Sequence, residues 1–265
     1  MAALYLPLAW KNSGVLLMDK LALAKNGDLS WKVMTSVCHM FRRVAVAELL
    51  LDGSKLPFSE HLGHGAQAWL HFLNHAPKDQ RIADRGLGLF DAIAGGHIAL
   101  AEAIARATPP EHNETWEYED DYLYVRLIAE MFLGVMPQED MEILLERWAQ
   151  LLTDQDDFRY DLVALLLEEE WEQDDLNEGL LDAIDAMNDW LEEKVEDFVY
   201  FPEDEATLLH VSTEVLTWIY LLARKGMVPD DDYPLAPSLA RVKKAVDPPA
   251  DGAWMNIPNA FVGEG

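Results

Sequence analysis

His61, His64, His71 and His75 are the residues of this 265-residue chain whose type and spacing come nearest to metal chemistry. At about 100° of helical wheel per residue they fall within about 80° of one another. His71 and His75 have the i,i+4 spacing of a zinc pair. A hydrolytic zinc would also need a third ligand and a general base. Glu60 is near in sequence, but the stretch reads HFLNH, without the acid of an HExxH motif. Neutral histidine also sits comfortably at the border of an oily helix face, where these four fall. The expectation is therefore no metal, no cofactor and no catalytic residue, with a metal-dependent enzyme built on the histidine stripe kept as an alternative.

Nucleophilic chemistry finds less support. The one cysteine, Cys38, lies on an oily face with nothing nearby to mark a thiolate. There is no G-x-S-x-G elbow, and the glycines of RGLGLF and AGGH match no phosphate-binding loop. Carboxylates are too abundant for any chosen pair to signify an acid–base dyad, which needs two environments that push the pKa values apart.

Acids and aromatics together suggest binding instead. In ETWEYEDDYLY, Trp116 and Tyr118 precede Glu119, Asp120 and Asp121, while Tyr122, Val125, Ile128 and Ala129 line up as a buried face. Aromatics anchor protein interfaces, and acids steer a basic partner. Further on, LNEGLLDAIDAMNDWLEEKVEDF holds eight acids and one base, Lys194. Leu176, Leu180, Ile184, Met187, Leu191, Val195 and Phe198 recur every three or four residues, which is the stripe of an amphipathic helix. Glu178, Asp182, Asp185, Asp189, Glu192 and Glu196 repeat with the same period on the opposite face. A disordered acidic tail would not keep that oily register.

The charge is lopsided. Residues 1–110 carry 11 Lys and Arg against 9 Asp and Glu, whereas residues 111–265 carry 9 against 39, giving −28 overall. Such a field repels nucleic acid and anionic membranes and attracts basic proteins. A single cysteine suits a reducing compartment, and a cytoplasmic location is expected. The apolar start, MAALYLPLAWK, lacks the basic region and cleavage site of a signal peptide. No apolar run reaches the roughly eighteen residues of a membrane span.

Helical periodicity dominates, and no alternating strand pattern appears, so an all-α fold is predicted. It would be a bundle or irregular array of antiparallel helical hairpins, with a Pro-rich extended C-terminal tail. Residues 1–226 form the helical domain, near-neutral over 1–110 and acidic over 111–226. Residues 227–265 contain Pro229, Pro234, Pro237, Pro248, Pro249 and Pro258 and are read as a tail packed on the body through Trp254, Ile257 and Phe261. Helices are expected over about 31–52 with Gly53 as cap, on either side of Gly95–Gly96, from Trp116 to Leu133, and after Pro137. EDEATLLHVSTEVLTWIYLLARKG reads as one long helix, and a short helix is read near Ser238–Ala245.

The segment LLHVSTEVLTWIYLLARKGMVPDDDYPLAPSL resembles the C-terminal signature of the immunity protein 49 family of bacterial polymorphic toxin systems. The matching residues are Arg224-Lys225-Gly226 and Tyr233-Pro234-Leu235-Ala236-Pro237. LFDAIAGGHIALAEAIA is similar to the family's small-residue helix–helix turn, with His97 where an aspartate is usual. The likeness spans roughly residues 35 to 240. It implies an intracellular protein that binds and neutralises a cognate toxin domain, and it implies no catalytic residues.

Inhibition of a basic toxin, a nuclease or another effector acting in the cytosol, is thus the expected function. The candidate partner-binding residues are Trp116, Tyr118, Glu119, Asp120, Asp121, Glu178, Asp182, Asp185, Asp189, Glu192 and Glu196. An acidic helical scaffold is the other non-enzymatic alternative. Oligomeric state is left open.

Overall fold

The computed structural model describes residues 2–83, 86–152, 156–168, 170–196, 201–230, 232–258 and 261. Among these the chain is all-α, with eleven α-helices and no strand. They are α1 (Ala2–Lys25), α2 (Trp31–Asp52), α3 (Lys55–His75), α4 (Leu87–Ala94), α5 (Ile98–Ala107), α6 (Glu119–Leu133), α7 (Gln138–Leu152), α8 (Phe158–Leu167), α9 (Gln173–Glu196), α10 (Pro202–Thr207) and α11 (Thr213–Lys225). Short connections let consecutive helices pack on each other, from α1 on α2 and α2 on α3 through to α8 on α9.

Local signals account for most boundaries. Gly53 and Gly226 close α2 and α11 in left-handed conformations, with φ of 69° and 119°, which glycine adopts without a Cβ clash. Asp157 caps α8 by accepting from Arg159 N–H. Gly95 and Gly96 separate α4 from α5, and His97 begins α5. His97 is buried, with Nε2 2.8 Å from the Ser59 carbonyl, so it ties the α4–α5 turn to α3.

The apolar start forms α1, a 24-residue helix with no strong amphipathic stripe. The last predicted long helix is broken in two. Ser212 accepts a hydrogen bond from Val215 N–H and starts α11 anew, which packs on α4. Asp204, buried against Arg43 of α2, turns α10 away onto α1 and α2. Tertiary pairing overrides the helical pattern at Leu208–Ser212. The helix read near Ser238–Ala245 contracts to one 3-10 turn, Ser238–Ala240. Beyond it the backbone is drawn onto the body: Lys55 Nζ donates to the Ser238 and Arg241 carbonyls, and Val246 N–H donates to the Gly96 carbonyl. The sixth helix starts at Glu119 rather than Trp116, because Asn113 to Trp116 form a turn.

Residues that close α11 and follow it act as clasps. Arg224 donates to the Phe132 carbonyl at 2.6 Å, and Lys225 donates to the carbonyls of Leu166 and Glu168. Two adjacent cations thereby satisfy the last carbonyls of α6 and α8. Tyr233 donates to Asn177 Oδ1 of α9 at 2.6 Å, and the Leu235 carbonyl accepts from Ser212 N–H at the start of α11. Tyr233, Leu235, Ala236 and Ala240 are buried, as are Trp254, Ile257 and Phe261, so the described tail packs on the helices.

Candidate partner-binding surfaces

The two acidic segments singled out in the sequence meet different fates. At the start of α6, Glu119, Asp120 and Asp121 occupy the first turn, where the helix dipole favours negative charge. Glu119 accepts from Arg147 Nε and Nη2 of α7 at 2.8 and 2.9 Å. These hydrogen bonds hold its carboxyl below the usual range. Asp121 accepts from Arg159 Nη1 at 2.6 Å, Asp157 from Nη2 at 2.7 Å, and Asp120 lies 3.7 Å from the same guanidinium.

Arg159 also lies over the rings of Tyr124 and Trp148, 5.3 and 5.9 Å from their centroids. Burial opposes its charge, but the carboxylates of Asp157 and Asp121 keep it protonated above its ordinary value. Beneath it Tyr124 donates to Glu214 Oε1 at 2.6 Å, and Trp218 Nε1 donates to the Tyr124 hydroxyl at 2.7 Å. Burial pushes both Tyr124 and Glu214 toward their neutral forms. The α6 acids therefore fasten α7 and α8 to the body. Glu117 likewise turns inward, accepting from the Ala83 and Asn113 N–H groups.

The aromatics beside these acids do face outward. Tyr118 is 77% exposed and Trp116 43%, the latter with its ring tilted against that of Trp31, 6.0 Å between centroids. Tyr122 is buried, as its register predicts, and Tyr124, outside that predicted face, is buried as well.

Along α9, Glu178, Asp182, Asp185, Asp189 and Glu192 are all exposed. None of the five has a hydrogen-bond or ion-pair partner among the described residues, in contrast to the α6 acids. The Glu196 side chain and Phe198 lie outside the described residues. The oily stripe is buried at Leu176, Leu180, Ile184 and Met187. It then opens: Leu191 and Val195 are only partly covered. Together with Asn188, Glu192 and Leu209 they line a groove of about 300 Å³. Trp190, 43% exposed and 5.9 Å from Lys194 Nζ, lies beside it in sequence. Acidic rim and apolar groove thus share Glu192.

The acidic face costs the helix stability. Glu178 and Asp182, and Asp185 and Asp189, are like-charged pairs at i,i+4, each unfavourable by about 0.2–0.5 kcal/mol.

The four histidines are not brought into one site. His61 Nε2 is 3.3 Å from Glu48, His64 is buried, and His71 and His75 stack at 4.1 Å, with His71 5.5 Å from Trp254 of the tail. Among the described residues no three of His, Cys, Asp and Glu come together as a metal-binding group. Cys38 is fully buried, and burial raises its thiol pKa well above the ordinary value. No described helix is long and apolar enough to cross a membrane.

Sequence reasoning missed the buried polar pairs that join α2 to α10 and to α4. Arg43 and His39 both reach Asp204, and Arg42 donates to buried Asp91 at 2.6 Å. The available signal was Arg42-Arg43 inside the apolar run of α2, since cations there need buried partners.

Compared with protein-family models, curated proteins and solved structures, the chain matches none of them. The likeness to the immunity protein 49 family accordingly rests on the residues quoted above.

Proposed function

We propose that this chain is an immunity-type inhibitor that binds and neutralises a basic toxin domain in the cytoplasm, through the outer face of α9. The observation that carries this reading is the row of unpaired carboxylates beside an open apolar groove. Five acids left without partners on one helix face weaken that helix, and a solvated face would be equally served by mixed charge. A basic protein surface converts the same row into steering and complementary contact. The groove at Leu191, Val195 and Leu209 supplies the apolar centre that protein interfaces require. The likeness around Arg224-Lys225-Gly226 and Tyr233-Pro234-Leu235 adds the toxin–immunity context. A nuclease is a natural target class, since a site built for phosphates also accepts carboxylates.

The experiment is co-expression with the open reading frame that neighbours this gene. Killing by the neighbour and rescue by this chain support the reading. D182K/D185K/D189K is expected to lose rescue and to slow association with the purified neighbour by at least about tenfold at low salt. Rescue that survives this triple reversal would move the interface off α9, and a neighbour that kills regardless would remove the toxin from the proposal.

A further inference from the structure

The outer face of α1 is apolar although only its inner face is covered. Leu6, Ala9, Leu17, Leu21 and Ala24 are buried against the body, where α1 packs on α2 and α10. On the opposite side Leu8 is 51% exposed, Val15 37%, Leu16 44% and Leu23 43%. These four fall within about 100° of helical wheel. A helix that is oily all round is normally covered all round.

The spacing of the exposed residues identifies what covers them. Leu8 and Leu23, and Val15 and Leu16, are symmetric about a point midway between residues 15 and 16, and so are Asn12 and Asp19. A second α1 laid antiparallel across a two-fold axis at that point sets Leu8 against Leu23 of the other copy and Val15 against Leu16. It sets Asn12 against Asp19. The Asn12 amide donates to Glu203 at 2.9 Å, and an amide nitrogen carries two hydrogens, so it can also donate to the facing carboxylate. Asp19 has no partner among the described residues. Such self-complementarity is the hallmark of an isologous interface.

Charge points the same way. Each copy carries −28, and the acidic helix α9 packs on α8 and α11. α1 holds Lys11, Lys20 and Lys25 against Asp19, so pairing through α1 does not set one acidic face against another. We propose that the chain forms a two-fold dimer through antiparallel pairing of α1.

A pair of 24-residue helices is about 36 Å long. It buries less than the roughly 1,600 Å² of a standard interface, so the dimer dissociates on dilution. Salt is expected to strengthen it by screening the net charge, which is the opposite of its effect on capture of a basic partner. Failure of one proposal is thereby separable from failure of the other.

The test is sedimentation equilibrium of the full chain, with L16E as the disrupting variant, and disulfide trapping with cysteines introduced into α1. The expected result is a concentration-dependent dimer that salt tightens and L16E weakens at least tenfold, with unchanged far-UV circular dichroism. L8C mixed with L23C is expected to cross-link, while L8C alone is not, because its two copies lie about 22 Å apart in the antiparallel arrangement. A chain that is monomeric at all concentrations overturns the proposal. So does a dimer indifferent to L16E, a cross-link formed by L8C with itself, or co-flotation with neutral phosphatidylcholine vesicles that L16E abolishes.

Discussion

Arg43 and Asp204 stand 161 residues apart and form a bidentate ion pair, each side chain only 4% exposed. The pair joins α2 to α10, and Asp204 also accepts from the Phe201 N–H and lies 2.9 Å from His39 Nε2. Burial raises the pKa of Asp204, but hydrogen bonds from His39 and Arg43 outweigh it and hold the carboxyl below its usual range. Asp204→Ala leaves Arg43 buried without its counter-charge and is expected to cost about 3–5 kcal/mol in urea unfolding. A loss under 1 kcal/mol would mean that water reaches Arg43.

The two acidic segments are expected to separate in the same assay. Asp121→Ala removes a carboxylate from Arg159, which is enclosed by Tyr124 and Trp148, and should lower stability by about 1–3 kcal/mol. The Glu119–Arg147 pair is more exposed, so Glu119→Gln is expected to cost under about 1 kcal/mol. D182K/D185K/D189K should leave the midpoint unchanged or raise it, since it relieves repulsion along α9. A large loss from that variant would mean that the strip has structural partners.

Arg224→Ala and Lys225→Ala each strip a cap from a helix end. Each is expected to lower stability by about 1–2 kcal/mol by uncovering carbonyls at the ends of α6 and α8. Hydrogen exchange measured by mass spectrometry should show the loss as faster fraying at Phe132–Gly134 and Leu166–Glu168. Uniform change across the chain would contradict local capping.

His64 is buried, and its pKa is lowered to about 4, first by burial and then by the neighbouring His61 and His97. Its unfolded value is about 6.5, so the unfolded chain binds the proton more readily between those two pH values. Stability from neutral His64 is complete above about pH 6.5 and is lost as pH falls toward 4. The lost contribution amounts to about 3 kcal/mol. His64→Gln should flatten the dependence of the unfolding midpoint across that window. An unchanged slope would place the acid sensitivity elsewhere.

Much of the fold can be read in the sequence because helix periodicity and capping are local. Leu176, Leu180, Ile184 and Met187 sit three or four residues apart, and their burial follows from that spacing. Gly53, Gly226 and Gly95–Gly96 mark ends that the structure keeps. The phase of the α9 acids is equally local, and all five described strip acids face outward.

What needed the tertiary structure was the identity of partners. The acids of α6 look like those of α9 in sequence, yet Glu119 meets Arg147 and Asp121 meets Arg159, 28 and 38 residues away. No local pattern encodes that difference, because a carboxylate's fate depends on which helix end the packing brings beside it. The same holds at Asp204, whose pairing with Arg43 outweighs the continuous helical pattern and splits the last helix. It also holds for α1, whose two oily faces are indistinguishable by composition until packing covers one of them. Sequence by itself determined where helices form and where the charge lies. Only the assembled structure decided which charges and which apolar faces remained without a partner, because that depends on contacts between residues far apart in the chain.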